Sequence, residues 1–256
     1  MHGWIIREHG GPEALEWDAT LPTPEPGPGQ VRLRVRSAGV NHLDLWVRKG
    51  VPGHHFPLPL IPCSDLAGTV DAVGPGVEAL DPATRYLVNP GFSCGACPAC
   101  DAGQHQLCRT YGIFGETTHG GAAEFVVVPR ENLLEVPSQL SWAEAASFPL
   151  AFLTAWHMVV GRAGVRAGQT VLIQAAASGV SSAAIQICRL LGARVIATAG
   201  SPEKLAFART LGATEVVNYR TEDVTRRLRD LVGRGGVDVI VDHVGADTWE
   251  MDLRLL

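Results

Sequence analysis

Short apolar runs alternate with amphipathic segments of helix length throughout the second half of the chain. The expected strands are Thr170–Gln174, Arg194–Thr198, Glu215–Asn218 and Val237–Val241. The expected helices are Gly179–Leu191, a segment that opens at Ser201-Pro202 with Ser201 as N-cap, and Glu222–Val232. Strands and helices that alternate at this spacing form a parallel sheet joined by right-handed crossovers. The pattern therefore predicts an α/β domain built on a parallel sheet.

The first half of the chain has a different rhythm, with many Pro and Gly residues between short strand-like runs. Val31, Leu33 and Val35 alternate with arginines, which predicts a strand with one solvent-exposed face. Further strand-like runs cover 66–73, 86–88 and 123–128. This half is predicted to be a mostly β, barrel-like domain, and a helix near Ala151–Val160 is expected to bridge the two halves.

Four cysteines lie within fifteen residues in the spacing C-x2-C-x2-C-x7-C: Cys94, Cys97, Cys100 and Cys108. Four thiolates suit one tetrahedral metal ion, and Zn²⁺ is the usual occupant of a closed all-sulfur site. A ferredoxin-type iron–sulfur run usually places its fourth Cys three residues on, followed by Pro. Two disulfides are the competing interpretation, and His105 is an alternative ligand to Cys108. We expect one structural zinc that staples a lobe of the first domain.

Composition limits the class of protein. The chain has 256 residues, of which 46% are hydrophobic and 18% charged, and its net charge is −5. These values are typical of a globular protein with one large or two ordinary domains. No basic patch indicates a nucleic-acid partner, no apolar run has the length of a membrane span, and the N-terminus does not read as a signal peptide. We expect a cytoplasmic protein with a small-molecule substrate and neither nucleic acid nor membrane as partner.

The turn after the first strand of the second half is a candidate cofactor site. It reads AAASGV over 175–180, where a dinucleotide-binding fold places its glycine-rich loop. Small residues leave room for backbone to approach a pyrophosphate at the helix N-terminus, so Ser178, Gly179 and Val180 are candidate contacts. An ordinary tight strand-to-helix turn is the alternative.

The end of the second strand of this half bears on the choice of cofactor. NAD sites usually carry Asp or Glu there, but this strand runs into Ala199-Gly200-Ser201. A carboxylate would repel a 2′-phosphate, so its absence from the strand end favours NADP(H). Ser201 and Lys204 are candidate partners of that phosphate, although a solvated lysine in a first helical turn is ordinary.

Several segments together resemble one family. The segment AGVNHLD over 38–44 is similar to the one that carries the first catalytic-zinc ligand of zinc alcohol dehydrogenases, and PCSDLAG over 62–68 is similar to their Gly-His-Glu segment. The four-cysteine lobe resembles their structural zinc lobe, and 148–156 resembles the bridge into their cofactor domain. The chain thus resembles the medium-chain dehydrogenase/reductase superfamily, which includes zinc alcohol dehydrogenases and quinone oxidoreductases.

The resemblance implies a fold and its boundaries. We expect a GroES-like β-barrel domain over residues 1–135, with a structural zinc lobe at about 90–112. A Rossmann-type NAD(P)-binding domain is expected over residues 136–256. Six parallel strands are common in such a domain, and four are predicted here, so the sequence resembles a chain truncated after the fourth strand. In the family the missing part completes the nicotinamide pocket, which leaves the activity of these 256 residues open.

The departures from zinc alcohol dehydrogenases concern their catalytic metal. Asn41 stands in place of a Cys, Ser64 in place of a His, and Leu153 at about the place of another Cys, while Leu43 replaces the hydroxyl of the proton relay. A catalytic zinc needs thiolate, imidazole or carboxylate ligands and one open position. The resemblance therefore favours the zinc-independent, quinone-oxidoreductase-like branch. Four other side chains are the alternative source of a metal site: His42, His54, His55 and Cys63.

The implied chemistry is hydride transfer from NADPH to a carbonyl, a quinone or an activated C=C. Asn41 is the leading candidate for donating to the substrate oxygen, and a loop amide capping its own turn is the alternative. Asp44 is expected to orient the loop rather than act as an acid. Three further residues are implied cofactor contacts: His42 at the pyrophosphate, Thr154 at the nicotinamide and Gly245 after the fourth strand.

Three other interpretations remain open from the sequence. One is a zinc-dependent alcohol dehydrogenase with atypical ligands, and another is a cofactor-binding fragment without turnover. A zinc-ribbon nucleic-acid binder is the third, and the acidic net charge disfavours it. The resemblance also implies a homo-oligomer, a dimer or tetramer, for a full-length protein.

Overall fold

The chain folds into two compact units, residues 1–150 and 151–256, and the computed structural model describes every residue from 1 to 256. The sequence placed the boundary at 135/136 instead. The intervening segment contains a short helix, Trp142–Ser147, whose buried Ala145 and Ala146 pack with Ala67 and Leu87 of the first unit. This helix belongs to the first unit because its apolar face is buried there.

The first unit is built mainly from antiparallel strands. Its strands are β1 (Gly3–Ile6), β2 (Leu15–Asp18), β3 (Gln30–Gly39), β4 (Asp65–Val73), β5 (Arg85–Val88), β6 (Gly91–Phe92), β7 (Gly112–Ile113), β8 (Phe125–Pro129) and β9 (Leu133–Glu135). Its helices are α1 (His42–Lys49), α2 (Pro98–Asp101) and α3 (Trp142–Ser147). Five strands form one antiparallel sheet in the order β8-β3-β4-β5-β9, while β1 pairs with β2 and β6 with β7.

Strand β3 has the two different faces that its alternation predicts. Val31 and Leu33 are fully buried in the core of the first unit. Arg32 lies on the other face, where its guanidinium bonds Asp71 (2.7 Å) and Glu25 (2.9 Å). The predicted half-exposed strand is confirmed.

The second unit begins within α4 (Pro149–Trp156), which continues as a π-helical segment over His157–Arg162. The remaining elements alternate strictly: β10 (Thr170–Ile173), α5 (Gly179–Leu190), β11 (Arg194–Ala199), α6 (Pro202–Leu211), β12 (Glu215–Asn218), α7 (Val224–Val232), β13 (Val239–Val241) and α8 (Ala246–Leu253). The strands pair in parallel in the order β12-β11-β10-β13. This confirms the predicted parallel sheet.

Both faces of this sheet are covered, because alternate residues of its strands enter two different cores. Val171 and Ala197 pack in the cluster that contains α5 and α6. Leu172 and Ile196 pack in the cluster that contains α7 and Leu255. Cys188 is fully buried in the first of these clusters. None of the helices is long and apolar enough to cross a membrane.

Helix α7 begins two residues later than its sequence pattern predicts. Asp223 is its N-cap, and the Asp223 carboxylate accepts from the backbone N–H of Arg226 (3.0 Å). Glu222 lies before the helix and accepts from the backbone N–H of Asn218 (2.7 Å). Asp is a preferred N-cap residue and Glu is not, which favours a helix that starts after Asp223. Helix α6 begins as predicted, with Ser201 accepting from the N–H of Lys204 (3.4 Å).

We predict that Gly68→Ala destabilises the first unit. Gly68 lies in the central strand β4, and a Cβ there would overlap the backbone carbonyl of Arg34 in β3. Overpacking against backbone costs about 1–3 kcal/mol. Urea unfolding measures the loss, and Gly235→Ala is the matched control because its Cβ meets open space. Equal free energies of unfolding for the two variants would contradict the prediction.

Candidate functional site

The four cysteines predicted to bind a metal come together in one cluster. Their sulfur atoms all lie within 4.8 Å of one another. The Sγ–Sγ distances are 3.6 Å for Cys97–Cys100, 3.6 Å for Cys108–Cys94 and 3.9 Å for Cys94–Cys100. A tetrahedral zinc with Zn–S bonds of about 2.3 Å requires sulfur pairs about 3.8 Å apart. The donor set and its spacing therefore fit a closed structural zinc site.

The surroundings of the Cys108 sulfur also suit a thiolate ligand. The backbone N–H of Cys94, with the hydroxyl and N–H of Thr110, lowers the pKa of the Cys108 thiol to about 6. All six cysteines of the chain are free, which contradicts the two-disulfide interpretation. His105 pairs with the hydroxyl of Ser93 (2.9 Å) and lies outside the sulfur cluster, so Cys108 is the fourth donor.

Asn41 and Asp44 lie in a buried polar cluster at the start of α1. The Asp44 carboxylate accepts from the backbone N–H of Asn41 (2.6 Å) and from that of Cys63 (2.8 Å). The Asp65 carboxylate accepts from the Asn41 side-chain amide (2.9 Å) and from the backbone N–H of Leu150 (2.8 Å). Both carboxylates are thus used to hold backbone and the Asn41 side chain in place.

Burial dominates the electrostatics of this cluster. Burial raises the pKa of Asp44, although hydrogen bonds from the backbone N–H groups of Asn41 and Cys63 act to lower it. It also raises the pKa of Asp65 to about 6 and that of the Cys63 thiol to about 12. Cys63 is therefore a neutral thiol at pH 7, unsuited to a role as nucleophile.

Other side chains near this cluster do not assemble into the alternative metal site. His42 is exposed and lies edge-on to Trp46, with ring centroids 5.1 Å apart. His54 pairs with Glu116 (3.6 Å) and contacts the ring of Phe56. The group His42, His54, His55 and Cys63 does not meet the spacing that three metal ligands need. Ser64 is fully buried, and its hydroxyl has no partner.

The predicted cofactor turn joins β10 to α5 in the second unit. Ser178 is the N-cap of α5, and its hydroxyl accepts from the backbone N–H of Ser181 (3.1 Å). Gly179 and Val180 form the first two helical positions, whose N–H groups have no partner within a helix. A Cβ on Gly179 would meet only Ala151 at an ordinary 3.6 Å, so the turn leaves this side open. These features fit an anionic group of a dinucleotide.

The loop after β13 lies beside this turn. His243 Nε2 and the Ser178 hydroxyl share a hydrogen bond of 3.0 Å. Gly245 has a φ of +91°, which requires glycine, and a Cβ there would meet open space. The Asp242 carboxylate accepts from the N–H of Val244 (2.7 Å) and the hydroxyl of Thr248 (2.7 Å), which fixes the loop. His243 and Asp242 were not predicted as site residues. Both follow a strand at the carboxyl edge of the sheet, where ligands bind, and this position could have indicated them.

The end of β11 carries features that the sequence did not reveal. Ser201 caps α6, and a bond from its hydroxyl lowers the pKa of Glu203. A carboxylate therefore lies next to Ser201, although the strand end itself has no acid. The Tyr219 hydroxyl lies against Gly200, so close that a Cβ on Gly200 would overlap it. Lys204 and Thr154 are both solvent-exposed, on α6 and α4 respectively.

A further concavity lies in the first unit, away from the Asn41 cluster. It has a volume of about 540 Å³ and is lined by residues that include Ile5, Leu21, Ile61 and His119. His119 Nδ1 accepts from the N–H of Ile61 (3.2 Å), and burial lowers the pKa of this imidazole. None of the residues that the sequence singled out for catalysis lines this cavity.

Known proteins resemble this chain over its whole length. Residues 27–138 match the alcohol dehydrogenase GroES-like domain, and residues 179–256 match the zinc-binding dehydrogenase domain. A quinone oxidoreductase of Pseudomonas aeruginosa is 34% identical over 248 residues, which cover 96% of this chain and 67% of that protein. The predicted GroES-like and Rossmann-type fold is confirmed by these matches.

Two solved structures extend the comparison. One is an NAD-dependent alcohol dehydrogenase with 53% identity and a TM-score of 0.95, covering all of this chain and 74% of its own. The other is a mycobacterial protein complexed with NADPH, with 31% identity and a TM-score of 0.80, covering all of this chain and 71% of its own. The two proteins thus differ in the cofactor that their descriptions name.

We predict that Cys97→Ser lowers the zinc content of the purified protein from about one ion per chain to well below half, because it removes one of four thiolates. The lobe then loosens, and the melting temperature falls by about 5 °C, the shift that ~2 kcal/mol produces in a chain of this size. Elemental analysis and calorimetry measure both effects. Cys188→Ala is the control and keeps its zinc, because Cys188 lies outside the cluster. Unchanged zinc content in Cys97→Ser would contradict the site.

Proposed function

The chain belongs to the medium-chain dehydrogenase/reductase superfamily, and from that premise we propose that it transfers a hydride from NADPH to a carbonyl, quinone or activated C=C without a catalytic zinc. It is an oxidoreductase by its family. The preference for NADPH, the class of substrate and the absence of a catalytic metal are the parts of the proposal that go beyond the family.

The observation that carries the proposal is the carboxyl edge of the parallel sheet in the second unit. The open N-terminus of α5, the Ser178 cap and the glycine conformation of Gly245 lie at this edge. Unpaired N–H groups at a helix N-terminus attract phosphate oxygens. Gly179 and Val180 would therefore hold the pyrophosphate of a dinucleotide, beside the Ser178 hydroxyl.

The bound nicotinamide supplies the hydride, and the chain positions the substrate and stabilises its charge. As hydride arrives, negative charge develops on the substrate oxygen. The Asn41 amide donates one N–H to Asp65, so its second N–H is free to donate to that oxygen. Asp65 fixes the orientation of the Asn41 side chain. An ionised carboxylate only accepts hydrogen bonds, so the amide nitrogen of Asn41 must face it. Asp44 acts as a positioning residue, because backbone N–H groups occupy both of its oxygens.

The positions that resemble the catalytic-zinc ligands of the family carry other side chains here. Asn41 is committed to Asp65, and Ser64 is a buried hydroxyl. Neither side chain is a usual zinc ligand. This supports hydride transfer without a catalytic metal. The second candidate, a zinc-dependent alcohol dehydrogenase with atypical ligands, would need Asp44 and Asp65, whose oxygens already accept from N–H groups.

Support for NADPH comes from Gly200, Ser201 and Lys204 at the end of β11, where the strand carries no acid. The exposed Tyr219 hydroxyl next to Gly200 adds a possible donor to a 2′-phosphate. The observation that favours NADH is Glu203, whose carboxylate bonds the Ser201 hydroxyl and would repel that phosphate. Lys204 opposes this repulsion, so the balance between the two charged side chains sets the preference.

We further propose that the substrate is a small molecule, that the protein is cytoplasmic and that it assembles as a homo-oligomer. Size-exclusion chromatography with light scattering measures the assembly directly. A monomer at micromolar concentration would contradict the proposed homo-oligomer and leave the proposed reaction unaffected.

We predict that the purified protein consumes NADPH with at least one compound from panels of quinones, enones and aldehydes, and that it holds one zinc per chain. Asn41→Ala should lower kcat about 10²–10³-fold, the usual loss when one donor to a developing oxyanion is removed. Its dinucleotide Kd stays at the wild-type value, which serves as the control for folding. Two zinc ions per chain would favour the alcohol dehydrogenase candidate. Absence of turnover with every panel would leave a cofactor-binding protein.

We predict that Lys204→Ala weakens NADPH binding about tenfold and leaves NADH binding unchanged, because only NADPH carries the 2′-phosphate. Glu203→Gln should strengthen NADPH binding by removing the repelling carboxylate. Arg209→Ala is the matched control, since it removes one exposed cation from the other end of α6. Nicotinamide fluorescence measures each Kd. Tighter binding of NADH than NADPH by the wild type would contradict the cofactor preference.

A further inference from the structure

A buried polar network lies directly beneath the candidate cofactor edge of the second unit. Gln174 follows β10 and is almost completely buried. Its side-chain N–H donates to Asp252 (2.8 Å), and its side-chain oxygen accepts from the Thr198 hydroxyl (2.5 Å). Its backbone carbonyl accepts from the Ser181 hydroxyl (2.6 Å) in the first turn of α5. One residue thus joins β10, β11, α5 and α8.

Asp252 brings a second carboxyl group into this network. It is 5% exposed and lies on α8, and its Oδ1 accepts from Gln174. Its Oδ2 is buried and lacks a donor. The carboxyl group of Asp242 is the charged neighbour of Asp252, close enough to share a hydrogen bond with it. Two carboxylates cannot bond each other, so a proton on Asp252 Oδ2 would supply the missing partner.

The two carboxyl groups have different surroundings. Burial, together with the charge of Asp242, raises the pKa of Asp252 to about 6. Although burial opposes it, donation from the Thr248 hydroxyl and the N–H groups of Val244 and Gly245 lowers the pKa of Asp242. Below about pH 6 the proton therefore resides on Asp252, and Asp242 remains the acceptor that fixes the loop 242–245.

We propose that Asp252 is a positioning residue for the dinucleotide: in its protonated form it ties Asp242, and with it the loop 242–245, to Gln174 beneath the cofactor turn. This inference rests on the proposed function, because it assigns a role within the same cofactor site. When Asp252 loses its proton, two adjacent carboxylates repel each other, and the loop that carries His243 and Gly245 loses its anchor. Dinucleotide affinity then falls as pH rises.

The sign of the effect on stability follows from the same titration. The pKa of Asp252 is about 6 in the folded chain and about 3.9 in an unfolded one. The folded state binds the proton more tightly, so its stabilising contribution is present below pH 4 and is lost as pH rises through 6. Asp252→Asn keeps a donor next to Asp242 at every pH. The variant should gain stability relative to the wild type between pH 5 and 7.5.

The test compares wild type, Asp252→Asn and Glu250→Gln by calorimetric titration with NAD⁺ and NADP⁺ from pH 5 to 7.5. The ratio of the Kd of the wild type to that of Asp252→Asn should rise about tenfold over this range, the change that one unit of coupling produces. Taking the ratio cancels effects of pH that do not involve residue 252. Glu250→Gln removes a charge from the exposed face of the same helix, and its ratio should stay flat. If Asp252→Asn does not fold, Asp242→Asn removes the repelling charge instead.

The outcomes separate this inference from the proposed function. Binding by the wild type with a pH-independent ratio would overturn the role of Asp252 and leave the proposed function standing. A shift in melting temperature without a change in the Kd ratio would make Asp252 merely structural, which also overturns the inference. If the wild type binds neither dinucleotide at any pH, the proposed function fails, and the positioning role fails with it.

Discussion

The hydrogen bonds of Gln174 are the interaction on which the cofactor edge of the second unit depends. Parallel strands end at the same edge of a sheet, and their last residues carry polar groups that need partners away from water. Gln174 satisfies Thr198, Asp252 and Ser181 with one side chain and one carbonyl. The turn that leads into α5 therefore starts from a fixed point, and the same residue bonds Asp252 of α8. The geometry offered to an anionic ligand follows from this buried network.

The first unit uses buried carboxylates for a similar purpose. Asp44 and Asp65 hold the backbone of Asn41, Cys63 and Leu150 and the amide of Asn41. Burying such groups is costly unless they are hydrogen-bonded, and here backbone and amide N–H groups supply the bonds. Asn41, which stands where zinc alcohol dehydrogenases have a metal ligand, is thus held in a self-contained polar cluster. The zinc expected in this chain belongs to the four cysteines, which stabilise a lobe and leave no open position for a substrate.

Structural features that are set by short-range interactions could be predicted from the sequence. The alternation around Val31, the N-cap at Ser201 and the spacing of the four cysteines depend on neighbouring residues, and all three agree with the structure. Contacts between distant residues escaped prediction. Asp252 is 78 residues from Gln174 and reads as one more acid on an amphipathic helix until the fold buries it.

The central claim is that a dinucleotide binds at the carboxyl edge of the parallel sheet, over the turn that Gln174 supports. Amide chemical shifts of the isotope-labelled protein, recorded with and without NADPH, test it most directly. The account predicts the largest changes at Gly179, Val180 and Ser181 and at Val244 and Gly245. Changes confined to Leu21, Ile61 and His119 around the cavity of the first unit, or no changes at all, would contradict it.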